Sequence, residues 1–139
     1  MRKLPRKITI VLLSGVFLIG NMAEANAASP LTISEPANGK SYLLKPGSSI
    51  QITLHSTFWN FGSVSNLSGS ETPTITSIMP GPTAPAKCQL PGMGCGRVVW
   101  KFKVGKSGKS QFIATRTSCG EALRCTAKES RYLVNFRVK

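Results

Sequence analysis

Aspartate is absent from the 139 residues, and histidine occurs once, as His55. The acids are Glu24, Glu35, Glu71, Glu121 and Glu129 alone. A Ser-His-Asp triad cannot be assembled without Asp, and five scattered glutamates make a catalytic carboxylate pair improbable. No Ser or Thr stands three residues before a Lys, which removes the Ser-x-x-Lys nucleophile arrangement. No Cys-x-x-Cys pair exists, and His55 alone could complete a zinc site. The glycines at 92, 94 and 96 do not open a helix, so they read as turn residues and not as a phosphate cradle. The chain also lacks a convincing helical stripe. These absences point away from an enzyme, from a metal centre and from any cofactor.

What the chain does have is positive charge, 18 Lys+Arg against 5 acids. Its length suits one domain. Arg2, Lys3, Arg6 and Lys7 form a basic head, Ile8 to Gly20 carries no charge, and Ala25-Asn26-Ala27 is a small-x-small pattern. That order is a secretory signal peptide over 1–27. Its uncharged run falls short of the roughly 20 residues that span a bilayer. No transmembrane segment is expected after cleavage. Removing 27 of 139 residues leaves a domain over 28–139 with 14 basic and 4 acidic side chains. The bacterial style of the head implies the periplasm, the cell surface or the medium.

Such compartments favour disulfides. Four cysteines permit three pairings, and the local ones, Cys88 with Cys95 and Cys119 with Cys125, are preferred here. Ser49–His55, Arg97–Val104 and Ser130–Lys139 alternate apolar and polar residues over seven or more positions, marking strands with one buried face. Weaker strands are expected at 31–34, 41–44, 74–79 and 111–116. Pro-Gly and Asn-Gly punctuation supplies turns, and Gly105–Lys109 reads as a hairpin-like connection. The expected fold is all-β, an immunoglobulin-like antiparallel β-sandwich of about seven strands with two local disulfides.

Two segments read as long loops, Ser56–Pro73 and the Pro-rich stretch from Pro80 to Ala86. The first carries Phe58, Trp59 and Phe61 close together. They serve either as a cap over the end of the core or as a hydrophobic contact loop.

Gly92-Met93-Gly94-Cys95 is followed by the strand Val99–Val104, then Gly108, then Phe112-Ile113-Ala114-Thr115-Arg116 and a closing strand Tyr132–Val138. This order resembles the chagasin-type inhibitors of papain-like cysteine proteases. In that family a Gly-x-Gly-Gly loop precedes an aromatic-rich strand, a glycine hairpin and a strand ending in Arg-Pro-Trp. Cys95 stands in place of a glycine, and Thr117-Ser118 follows Arg116 in place of Pro-Trp. Ser56–Gly62 stands where the family carries Asn-Pro-Thr-Thr-Gly. The first half, Leu31–Leu54, is similar to bacterial immunoglobulin-like surface modules. The resemblance implies a monomeric, non-enzymatic domain that docks three loops on a protein partner such as a papain-like protease. The contacts would come from Phe58, Trp59, Phe61, Gly92, Met93, Gly94, Arg116 and Arg124.

The alternative is a basic structural or adhesive module that binds anionic envelope components. Lys101 and Lys103 share one strand face, Arg131 and Arg137 another, and all four are expected on one outer surface if those strands share a sheet. Nucleic acid is a poor partner, because Trp100 and Phe102 point opposite to Lys101 and Lys103, whereas a stacking platform needs rings and cations on one face.

Overall fold

The structure is a computed structural model, and it describes residues 29–69 and 73–139. The signal peptide expected over 1–27 lies outside the described residues. Among the described residues there are eleven strands: β1 (Leu31–Ile33), β2 (Ser41–Leu44), β3 (Ser49–His55), β4 (Asn60–Ser65), β5 (Leu67–Gly69), β6 (Thr74–Ser77), β7 (Gly96–Val104), β8 (Gly108–Thr115), β9 (Ser118–Gly120), β10 (Leu123–Arg124) and β11 (Arg131–Val138). Among the described residues the only helical pieces are two 3-10 turns, Glu35–Ala37 and Ala86–Cys88.

Two sheets face each other. One has the order β1-β3-β7, with β5 and β6 sharing the far edge of β7 end to end, opposite Phe102–Val104 and Gly96–Val99. The other has the order β2-β11-β8-β4. The central ladders β3–β7 and β8–β11 are antiparallel, as the alternation implied. The edges differ, since β1 runs parallel to β3 and β2 parallel to β11. The chain rises along β1, turns over one end of the sandwich at Glu35–Lys40 and descends along β2 in the opposite sheet. Asn38 pins this turn, its amide donating to the Arg131 carbonyl at 3.3 Å and accepting from the Leu133 N–H at 2.9 Å.

The apolar rows meet between the sheets. Ile50, Ile52, Leu54, Val98, Trp100 and Phe102 face Phe112, Ala114, Tyr132, Val134 and Phe136, all 3% exposed or less. Phe112 is the hub, with ring centroids 5.3 Å from Trp100, 5.7 Å from Phe102, 6.1 Å from Phe61 and 6.4 Å from Tyr132. Tilted and edge-on pairs at such distances add about 0.5–1.5 kcal/mol each beyond area burial. Among the described residues the buried Trp100 Nε1 has no acceptor.

Two sequence expectations change here. Gly105–Lys109 is no hairpin, because both edges of β7 are already paired, and the chain crosses to the other sheet before β8 begins. Ser56–Pro73 is no long loop, because β4 and β5 lie within it. β4 carries a bulge at Gly62, between the pairs Phe61–Ala114 and Ser63–Ile113. A Cβ at Gly62 would lie 2.9 Å from the Ile113 carbonyl oxygen. That bulge and the polar residues on both sides of Val64 hid the strand from a period-two reading.

Candidate functional site

At one end of the sandwich β3 ends, β4 begins, β7 begins, β8 ends and β11 begins. The connections at this end, with the first residues of β4, hold every loop residue singled out from the sequence. The Thr57 N–H donates to the Gly94 carbonyl at 2.8 Å, and the Ser56 N–H to the Gly96 carbonyl at 2.9 Å. These bonds tie the Phe58 loop to the Gly92–Cys95 loop. Gly94 takes φ +63°, and a Cβ there would lie 2.3 Å from the Phe58 ring. Only glycine satisfies both the left-handed backbone and the contact. Gly92 packs beside Glu121 of the third loop. Met93, Gly94, Cys95, Arg116 and Cys119 line one hollow.

Both preferred disulfides are present, Cys88–Cys95 with Cα atoms 5.8 Å apart and Cys119–Cys125 at 5.0 Å. The second closes the β9–β10 ribbon, whose turn residue Ala122 sits at φ +53°. Ser56, at φ +101°, is a second non-glycine residue in the left-handed region at this end. Such residues persist where surrounding contacts over-determine the backbone.

Trp59 is 5% exposed. This corrects its assignment as a contact. Its ring lies edge-on to Tyr132 at 6.3 Å, and its Nε1 donates to the His55 carbonyl at 3.2 Å. Phe61 also packs on the core, and Phe58 is half-buried on Gly94. A large aromatic ring with a core within reach gains more by burial than by waiting for a partner. The cap reading therefore holds for Trp59 and Phe61. Trp59 has a second task. The Arg116 guanidinium lies over its ring, 4.4 Å from the centroid, while the Arg116 Nε donates to the Glu129 carbonyl at 3.0 Å. A line of rings from Phe112 through Tyr132 to Trp59 thus sets where Arg116 stands. Arg124, on β10, is exposed.

Tyr132 anchors the same end by donating its hydroxyl to the Ser34 carbonyl at 2.8 Å. Burial, followed by the nearby Glu35 and Tyr42, pushes its phenol well above the usual range. The Glu129 carboxylate accepts from the Thr126 hydroxyl at 2.7 Å and the Thr126 N–H at 3.2 Å. These two bonds, with Arg116 nearby, hold its pKa below the ordinary glutamate value. Glu35 accepts from the His55 backbone N–H and lies 3.0 Å from the His55 ring.

The sequence reading missed the exposed apolar side chains of this end. Met79 is 78% exposed, Leu90 63% and Leu123 60%. Met79 was placed on a strand that in fact ends at Ser77. The adjacent pair Ile78-Met79 before Pro80 breaks the alternation and was the available signal.

The expected single basic surface is also corrected. Lys101 and Lys103 lie on β7 in one sheet, and Arg131 and Arg137 on β11 in the other. All four are exposed, on opposite outer faces. Alternation within a strand shows which residues point outward, but not which sheet the strand joins. Among the described residues no cluster of three or more His, Cys, Asp or Glu could hold a metal, and no helix is long and apolar enough to cross a membrane.

No protein-family model and no curated protein sequence matches the chain. Among solved structures, amebosin superposes with a TM-score of 0.54 at 14% identity, over 80% of this chain and 99% of that one. The cysteine protease inhibitor EhICP2 from Entamoeba histolytica superposes with a TM-score of 0.51 at 11% identity, over 78% of this chain and 94% of that one. The likeness is one of fold: the chain adopts an immunoglobulin-like β-sandwich architecture that a cysteine protease inhibitor also has.

Proposed function

We infer that the protein is an exported, monomeric inhibitor of papain-like cysteine proteases that docks the loop end of its sandwich without covalent chemistry. The observation that carries this reading is the meeting of three loops at one end of an inhibitor-type fold, two of them closed by disulfides. Loops ordered before contact lose less conformational entropy on docking. Three such loops suit a standard interface of roughly 800 Å² per partner. Arg116, held over Trp59, and Arg124 supply cationic anchors, and Met79, Leu90, Met93 and Leu123 supply apolar surface. Aromatic, Met and Arg side chains are enriched at such interfaces. The bridges fit an oxidising compartment, and the basic head at the N-terminus supports export to a bacterial periplasm or surface.

The test is inhibition of papain and of cathepsin-type proteases by the oxidised protein. Replacing Leu90 and Met93 together by Ala is expected to weaken inhibition by about tenfold or more, the loss of one good contact. Absence of inhibition at micromolar concentration would refute the reading.

A further inference from the structure

Among the described residues, the outer face of the sheet containing β7 carries a row of cations along a single strand. Along β7, Arg97, Lys101 and Lys103 point outward and are exposed, with only Val99 between them. At about 3.3 Å per residue this row of cations extends roughly 20 Å. Polar rows flank it. On β3, Gln51 and Thr53 stand opposite Lys101 and Val99; on the other side, Thr74 and Thr76 of β6 stand opposite Val99 and Arg97, and Ser68 of β5 opposite Lys103. The side chains form two shallow hollows that share Gln51 and Lys101, so the furrow is continuous along the strand. Among the described residues the one acid at its margin is Glu35, which faces His55 at the loop end. Among the described residues no Phe, Tyr or Trp ring projects from this face, since Trp100 and Phe102 point into the core, and its one imidazole, His55, stands at the loop end against Glu35.

The opposite face does not repeat the pattern. It carries three cations too, Lys109, Arg131 and Arg137, but Arg131 and Arg137 are separated by Leu133 and Asn135, Lys109 lies beside Arg137 on the neighbouring strand, and exposed Leu43 lies on the other side of Arg137.

We propose that the outer face of this sheet binds a linear anionic polysaccharide laid along β7, with Arg97, Lys101 and Lys103 pairing its sulfates or carboxylates. The hydroxyl and amide rows on both sides meet the sugar hydroxyls, each able to donate and accept. A furrow whose one ring is the His55 imidazole, held against Glu35 at its end, offers no platform for a run of stacked nucleobases. The face runs from Arg97, beside the loop end, along β7 toward the far end of the sandwich, and the proposal does not depend on the function of the docking loops.

The test uses the disulfide-bonded protein with dextran sulfate as the probe, and neutral dextran beside it, over a range of salt concentrations. Two triple variants lower the net charge equally: Arg97→Gln, Lys101→Gln, Lys103→Gln on this face, and Lys109→Gln, Arg131→Gln, Arg137→Gln on the opposite one. Only the first is expected to lose more than tenfold in affinity. Its log–log salt slope should fall by about 2, given roughly 0.7 per charge neutralised on a flexible single-stranded polyanion. Thr53→Val with Thr76→Val should weaken binding severalfold and leave the slope unchanged, and neutral dextran should not bind. Equal losses from both triples would overturn the proposal, because binding would then follow net charge alone. Tighter binding of an oligo-dT strand or of phosphatidylglycerol vesicles, dependent on the same three residues, would overturn it in favour of another partner class. All six substituted cations are exposed, and unchanged thermal midpoints identify folded variants; Lys101→Gln alone serves if a triple does not fold.

Discussion

Between Ser49 and His55, strand β3 buries every second residue against the facing sheet. Between Cys88 and Cys95 the chain buries Cys88 and leaves Leu90 63% exposed. The body of the sandwich is held by apolar burial shared among many residues, whereas its loop end adds to the buried Trp59 and Tyr132 two covalent bridges, a few hydrogen bonds and one stacked arginine. A loop that leaves apolar groups exposed cannot also bury them to stabilise itself. Cross-links relieve that conflict by restricting the unfolded chain instead.

This contrast can be broken from either side. The largest effect is expected from Phe112→Ala, which removes the ring that touches Trp100, Phe102, Phe61 and Tyr132. The loss should be about 3–5 kcal/mol in urea unfolding, felt by the whole domain. A loss confined to the loop end would show that the hub is local. Replacing Cys119 and Cys125 together by Ala should cost about 2 kcal/mol for so short a closed loop. Its signature is regional: amide exchange should rise over 116–130 while β7, β8 and β11 keep their protection. Global loss of protection would contradict the division between body and end.

Tyr132→Phe tests the joint between the two regions. It keeps the ring between Phe112 and Trp59 and deletes the bond to the Ser34 carbonyl, so a loss of about 1 kcal/mol is expected. The readout is again urea unfolding, with Trp59 fluorescence reporting the local change. The smallest effect concerns acid. Glu129 titrates below its unfolded value of about 4.3. The stabilisation from its ionised form is therefore complete above that pH and is lost as pH falls through the folded pKa. Glu129→Gln should flatten this acid limb and shift the Thr126 amide resonance. An acid limb identical in the variant would remove Glu129 from the account.

The sequence alone was enough to establish the class of the fold and its covalent frame. Alternation over Ser49–His55, Arg97–Val104 and Ser130–Lys139 identified β3, β7 and β11, because one buried face imposes period two on any strand. The disulfide pairs were legible because short loops in an oxidising compartment close locally. The three loops that meet at one end were legible through the resemblance. The partition of strands between sheets was not, since period two records which face is apolar and says nothing of the neighbour. This is why Lys101 and Lys103 proved to be separated from Arg131 and Arg137 by the whole thickness of the sandwich. Nor could the fate of Trp59 be read from its position, as burial depends on Tyr132 lying within reach across 73 residues of chain. Strand partners, the burial of Trp59 and the placing of Arg116 over it all rest on contacts distant in sequence, and only the tertiary structure decides those.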